Sequence, residues 1–414
     1  MQAPLAPMGA LPTSTMEPRR LAAAKMPTFP RRQHGGSSAG EVDEGGRGRR
    51  VAFMMMVLIS GAVLLLTGFR FPEDATDPDS TRAAEAAARP FFTGVFLGDA
   101  ATTPDRVADA LREHARLVGA KPALVKSFYR LDDDFSARGW AGRVLRRVSD
   151  AGATNYVALD LRWRGAPGAD LLAAIAAGRA DRELRRVARD IAALETTVLI
   201  EPAWEMNGDW DYPWQGAANG GAAQAPLRFV QAWRHIVDVF RAAGATNARW
   251  VFAPNIGNPV AGGASGPDHW NWYGHYYPGA DYVDYVGAHG FHAPLLWGYA
   301  YHGFASLFDG EAADRMLSDL AQRYPDKPIM VGEFAAQEVP GRDKGEWIAA
   351  AYDYLTAQPN VVGAVWFHMK KEADWRIDSS PSALAAYRAA LDGPRMRTAF
   401  DEAGLRTAFQ LASR

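Results

Sequence analysis

The chain has 414 residues, no cysteine and a formal net charge of −2, and 48% of its residues are hydrophobic. The apolar share suffices for a large core, while the missing cysteine excludes disulfides, iron–sulfur clusters, thiolate zinc sites and a cysteine nucleophile. Near-neutral charge argues against nucleic acid as a partner, because no basic excess is present to neutralise phosphates.

Residues 1–50 are rich in Ala, Pro, Gly and Arg and lack a sustained apolar period, which predicts a disordered cytoplasmic tail. Val51 to Gly68 is then an uncharged run of 18 residues, at the short end for crossing a hydrocarbon core of roughly 30 Å. Arg47, Arg49 and Arg50 precede it, and Arg70, Glu73, Asp74, Asp77 and Asp79 follow. The positive-inside rule predicts a single-pass signal anchor over 51–69, with the C-terminal bulk carried across, so that the folded domain is periplasmic or extracellular. A cleaved signal peptide is the competing reading, although no small-x-small site follows directly. Residues 70–89 read as an acidic linker and 90–414 as the folded domain.

From residue 90 short apolar runs alternate with amphipathic stretches. The runs predict strands at Phe92–Leu97, Ala123–Tyr129, Asn155–Asp160, Thr197–Ala203, Ala248–Pro254, Tyr282–Ala288, Pro328–Gly332 and Val361–Phe367. Between them, helical spacing marks Asp105–Val118, Asp181–Leu194, Leu227–Ala243 and Gly345–Gln358. Eight strand–helix units predict an α/β fold, a (β/α)₈ TIM barrel, whose chemistry sits at the C-terminal strand ends.

Acids stand at two of those ends. Val198-Leu-Ile-Glu-Pro-Ala is followed by Trp204-Glu205-Met206-Asn207-Gly208-Asp209-Trp210, and Gly332 is followed by Glu333. The fourth and seventh strands lie three steps apart on an eight-membered ring, so their ends can present Glu205 and Glu333 across one cleft. A carboxylate pair across a cleft is the minimal equipment for glycoside hydrolysis. Glu201 is a further acid on the same strand parity as Glu205.

Aromatic residues gather around these acids. Trp204, Trp210, Tyr212 and Trp214 surround the first, Trp366 and Trp375 lie at and after the eighth strand, and Trp270, Trp272 and Tyr273 crowd the loop after the fifth. Indole and phenol rings offer faces on which pyranose C–H groups stack, so Trp204, Trp210, Trp214, Trp272 and Trp366 are candidate sugar subsites.

The segment Glu201-Pro-Ala-Trp-Glu-Met-Asn-Gly-Asp-Trp210 resembles the acid/base segment of glycoside hydrolase family 26, and Pro328-Ile-Met-Val-Gly-Glu-Phe334 resembles its nucleophile strand. Asn247–Asn255, Tyr276–Gly287, Val365-Trp-Phe367 and Asp374-Trp-Arg376 are similar to its fifth, sixth and eighth strand regions. The resemblance implies a retaining glycosidase with Glu205 as acid/base and Glu333 as nucleophile. It also implies Trp366 as the floor of the reacting subsite, with Asn207, Asn255 and His289 as hydroxyl binders. Trp204 stands where the family usually has His, and Phe291 where it usually has Tyr, leaving His289 or His292 to supply the polar contact.

The expected substrate is a β-linked polysaccharide of mannan or glucan type, cut internally, with no cofactor and no metal. Two other classes compete. One is a metal-dependent hydrolase using Asp268, His269, His289 and His292 as ligands. The other is a non-catalytic glycan-binding component of an exopolysaccharide synthesis or export system.

Overall fold

A computed structural model describes residues 89–262 and 266–412. The expected tail, membrane anchor and linker lie outside these, apart from Arg89. Among the described residues no helix is long and apolar enough to cross a membrane.

Eight strands form the barrel: β1 (Phe91–Phe96), β2 (Leu124–Arg130), β3 (Thr154–Asp160), β4 (Val198–Pro202), β5 (Ala248–Phe252), β6 (Tyr285–His292), β7 (Ile329–Ala336) and β8 (Val361–Phe367). All pair in parallel in sequence order, and β8 returns to β1, which closes the ring. A ninth strand, β9 (Met396–Arg397), adds to the start of β1. The main crossover helices are α1 (Val107–Val118), α2 (Trp140–Asp150), α3 (Asp181–Ala192), α4 (Gly221–Ala242), α5 (Met316–Arg323), α6 (Lys344–Ala357) and α7 (Pro381–Leu391), and α8 (Glu402–Ala412) follows β9.

The expected eight strand–helix units are therefore seven among the described residues. Among its described residues the crossover from β5 to β6 holds short 3₁₀ turns and no α-helix, with the aromatic run Trp270–Tyr277 at its centre. Trp272 and Tyr273 are buried there against each other and Arg323 lies over the Trp272 ring, so bulky ring packing replaces a helix. A second difference concerns the strand ends. β6 and β7 each run four residues beyond the expected limit, so Glu333 lies inside β7 rather than after it.

Strand alternation sorts the side chains into two cores. Outward residues such as Val125, Val157, Ile200 and Val331 pack under the helices. Inward residues at the N-terminal half of the barrel, including Phe92, Leu124, Leu199, Val251 and Met330, form an apolar plug. Leu405 and Phe409 of α8 cap that plug from below. Two residues further along β2 and β4 the inward positions become Lys126 and Glu201, and β6 adds His289, all buried. The barrel is thus filled by grease at one end and by charge at the other.

Arg395 fastens the apolar end. Its guanidinium, almost fully buried, donates to the carbonyls of Arg89, Thr356, Gln358 and Val361, joining the start of β1, the end of α6 and the start of β8. Arg395→Ala should lower unfolding free energy by about 3 kcal/mol, because several buried acceptors lose their donor. Arg397→Ala, at an exposed neighbouring position, should change it by no more than about 0.5 kcal/mol. Urea denaturation of the two variants side by side checks this, and equal midpoints would count against the role.

Candidate active site

The inward positions at the C-terminal half of the barrel hold a closed set of charged groups. Lys126 Nζ, fully buried, lies 2.9 Å from Glu201 Oε2 and 2.9 Å from Glu333 Oε1, and donates to the carbonyl of Gly332 at 3.2 Å. His289 is also fully buried. Its Nε2 lies 2.8 Å from Glu201 Oε1 and 3.2 Å from Lys126 Nζ. Its Nδ1 lies 3.2 Å from Glu205 Oε1 and 3.6 Å from Glu333 Oε1. The two carboxylates expected to face each other therefore meet at one imidazole nitrogen.

Each charge is set by its neighbours. Burial opposes ionisation of Glu201, but the charges of His289 and Lys126 outweigh it and hold the carboxyl down at about 2. Burial likewise opposes the charge on Lys126, and Glu201 and Glu333 overcome it, so the ammonium is held above the ordinary lysine value. For His289 burial is again outweighed by Glu201, and the imidazole is lifted to about 9. Glu205 goes the other way. Burial pushes its carboxyl up, the charge of Glu333 adds to this, and contact with His289 only partly offsets it.

The backbone aims these groups. β7 carries an irregularity: Ala288 of β6 pairs with Val331 but His289 pairs with Glu333, which leaves Gly332 as an extra residue. Gly332 and Glu333 consequently both face inward, and Phe334 returns to the outer layer against Trp366. A Cβ at Gly332 would stand 2.5 Å from His289 Nε2, 2.7 Å from the Tyr156 hydroxyl and 3.0 Å from Glu201 Oε2. Glycine before the acid is thus a packing requirement of the charged cluster.

The segment after β4 is held by its own motif. Ala203 and Glu205 both adopt left-handed backbone, with φ of 52° and 53°, a conformation that costs a non-glycine residue of order 1–3 kcal/mol. Several contacts impose it. The Glu205 N–H donates to the carbonyl of Ala253 at the end of β5, and Gln215 Nε2 donates to the Glu205 carbonyl. Asn207 donates to the carbonyls of Asn255 and Gly257 and accepts the Asn255 N–H.

Beyond the acids opens a cavity of about 550 Å³, within the usual size range of small-molecule sites. Trp204, Trp210, Tyr212, Phe291 and Trp297 wall it, with Glu205 and Glu333 among its lining. The expected aromatics thus divide. Trp204, Trp210 and Phe291 line the cavity. Trp214 does not: it is fully buried, backs Trp204 and donates to the Trp204 carbonyl. Trp366 does not floor a subsite either. It points outward on β8, fully buried among Phe334, Trp347 and Tyr387, and donates to the Trp375 carbonyl. Its neighbour Phe367 has the inward parity and lines the cavity. Asn207 and Asn255 spend their polar atoms on the two loops and are absent from the cavity wall. His289 touches the acids and not the cavity surface.

The proposed metal ligands do not converge. His269 accepts from Asn258 and from the Asn271 N–H, and His292 accepts from the His302 N–H. Glu201, His289 and Glu333 do bring ligand atoms within 4.8 Å of one another, but the ammonium of Lys126 stands between the carboxylates as their cation.

Lys126 and a charged rim were not anticipated from sequence. On the rim Asp160 pairs with Arg162, and Asp133 accepts the Arg130 N–H while burial lifts its carboxyl to about 6. A lysine at an inward position in the middle of a mainly apolar strand was the available signal for the first. Charged residues alternating past the ends of β2 and β3 were the signal for the second.

Lys126→Met should cost about 3–5 kcal/mol of stability, since two buried carboxylates lose their shared counter-charge. Gly332→Ala should cost about 1–3 kcal/mol through overpacking. Chemical denaturation reads both, and an unchanged midpoint in Lys126→Met would show that the cluster does not depend on the ammonium.

Comparison with known proteins agrees with this architecture. The sequence model described as Glycosyl hydrolase family 26 matches residues 171–337, a span that contains both acids, Glu201 and His289. Endoglucanase H of Acetivibrio thermocellus is 38% identical over 285 residues, which is 68% of this chain and 29% of that protein. The chain thus spans under a third of the length of that relative. The catalytic domain of the Bacillus sp. JAMB-750 endo-beta-1,4-mannanase superposes with a TM-score of 0.56 at 17% identity, covering 79% of this chain and 93% of that one. The modular endo-beta-1,4-mannanase of Cellulomonas fimi gives 0.53 at 16% identity, covering 77% and 74%. At such identities these two structures establish the fold alone. The matched span, which holds both acids at the C-terminal half of the closed parallel barrel, leads to one assignment: residues 171–337 belong to glycosyl hydrolase family 26.

Proposed function

We propose that the domain is a retaining, endo-acting glycoside hydrolase of β-linked polysaccharide. The observation that carries this reading is the meeting of Glu205 and Glu333 at one imidazole nitrogen, on the floor of an aromatic-walled cavity. Two carboxyls held this close, one pushed toward its protonated form and one paired with an ammonium, have the complementary states the reaction requires.

Glu333 attacks the anomeric carbon while Glu205 gives its proton to the departing oxygen, and a glycosyl ester forms. Water then attacks that carbon, Glu205 takes the proton of the water, and Glu333 leaves as carboxylate. Trp204, Trp210 and Tyr212 supply ring faces for the sugar, in line with their places on the wall. We favour β-glucan over β-mannan, because the relative that is 38% identical is named an endoglucanase, whereas the mannanases are similar at 16–17%.

The test is turnover on β-1,4-glucan, mixed-linkage β-glucan and β-1,4-mannan. Glu333→Ala should lower kcat by about 10³–10⁴-fold or more. Glu205→Ala should keep rapid release of a dinitrophenolate leaving group, which needs no proton, yet stall in the second step. The β-anomer should be the first product seen by NMR. Because Glu205 acts as an acid and its carboxyl is raised, kcat/KM should persist above the ordinary carboxylate range and fall as pH rises through the raised value. Glycan binding with no turnover in the wild type would instead support a non-catalytic component of polysaccharide synthesis or export.

We further propose that residues 51–69 anchor the domain to a membrane, N-terminus inward, on the strength of the uncharged run and the arginines before it. The full chain should remain with membranes after alkaline carbonate extraction, and external protease should reach the barrel in spheroplasts. Release of the domain into the medium with the first seventy or so residues removed would contradict the anchor.

A further inference from the structure

The chemistry just proposed moves one negative charge. In the free enzyme it lies on Glu333; in the glycosyl ester Glu333 is neutral and the charge lies on Glu205. Lys126 Nζ stands at 2.9 Å from Glu333 Oε1 and its other close carboxylate is Glu201. Among the close cationic contacts of the described residues, only His289 reaches Glu205, through Nδ1 at 3.2 Å. The same nitrogen lies 3.6 Å from Glu333 Oε1. A buried carboxylate without a counter-charge is strongly disfavoured, so the ester state depends on this contact.

The protonation of His289 follows from its other nitrogen. Nε2 has two close neighbours, Glu201 Oε1 at 2.8 Å and Lys126 Nζ at 3.2 Å. A lone pair on Nε2 would accept from the ammonium, whereas a carboxylate 2.8 Å away favours a proton on the nitrogen. That approach lies outside hydrogen-bond geometry and leaves Glu201 Oε1 without a hydrogen-bond partner, so it is the negative charge beside the ring, and not a formed hydrogen bond, that favours a second N–H. Two cations, Lys126 and His289, then balance Glu201 and the one charge that Glu205 and Glu333 share.

We propose that His289 is a fixed imidazolium, anchored by Glu201, whose Nδ1–H hydrogen bond follows the negative charge from Glu333 to Glu205 and back through the two half-reactions. It is a positioning residue, acting through the two carboxyls without touching the sugar. This rests on the glycosidase reading above. The groups facing the ring are Lys126 from β2, Tyr156 from β3, Glu201 from β4, Glu205 from the loop after β4 and Glu333 from β7, with Tyr212 near both acids. The lift of the imidazole to about 9 agrees with a charge retained across the neutral range.

Two measurements test it. The first follows nitrogen-15 shifts of the histidines in the full chain, with the His289 signal assigned by its loss in His289→Gln. A doubly protonated ring from pH 5 to 8 is expected; titration with a midpoint near or below 7, or a neutral ring with one N–H, overturns the inference whether or not the enzyme turns over. The second uses dinitrophenyl β-cellobioside with wild type and His289→Gln. Glu205 must be protonated in the first step and ionised in the second. Loss of the imidazolium should therefore move two limbs to higher pH: the alkaline limb of kcat/KM, read with an unactivated aryl glycoside, and the acid limb of glycosyl-enzyme hydrolysis. Hydrolysis of the ester at acidic pH should fall by about ten-fold or more. Slower rates with both limbs unmoved would mark a purely structural role and sink the proposal. Absence of turnover in the wild type removes the glycosidase reading itself, and is seen before any His289 variant is made.

Discussion

Everything at the C-terminal half of this barrel is arranged around the burial of charge. Lys126, Glu201 and His289 have no contact with solvent, and an isolated ion in such a place would be disfavoured by several kcal/mol even after relaxation. The cluster exists because each member is the counter-charge of another. Its members come from three different strands, so barrel closure is what assembles it. Conversely, the cluster constrains the barrel, since a shift of any one strand by a residue would leave a charge facing an apolar neighbour.

The details of backbone near the acids follow from that constraint. The bulge at Gly332 inserts a residue without a side chain where Tyr156, His289 and Glu201 already fill the space, and it turns Glu333 toward Lys126. The left-handed turn through Ala203 and Glu205 brings the second carboxyl back over the barrel axis to the same imidazole. Asn207 and Gln215 hold that turn through backbone hydrogen bonds, and Trp214 stiffens the wall residue Trp204 from behind. Asn207, Gln215 and Trp214 thus serve to place the few side chains that face the cavity.

The asymmetry between Glu205 and Glu333 has the same origin. Both are carboxyls in one buried site, but only Glu333 lies against the ammonium. Glu205 has burial and the neighbouring negative charge against it, with one imidazole in its favour. Position relative to Lys126 separates two identical functional groups: Glu333 has an ammonium beside it, and Glu205 is pushed toward its protonated form.

The strands were legible in the sequence because β-branched and aromatic runs bounded by turns leave few alternatives, and the eight runs lie close to the observed strands. Glu205 and Glu333 were legible because each follows an apolar run, beside glycine and aromatic residues, although β7 continues past Glu333. Lys126 was not, since a single lysine in a mainly apolar strand says nothing of partners; Glu201 lies 75 positions away and only barrel closure brings the two together. Trp214 and Trp366 were misplaced for a related reason. Composition marks an aromatic near a site, but the side of the strand or loop on which it falls depends on register and bulges, and one position exchanges the cavity for the outer core. The amino-acid order by itself determined which stretches form strands; where β6 and β7 end and which residues face one another were decided only in three dimensions, because charge compensation and close packing are properties of neighbours in space.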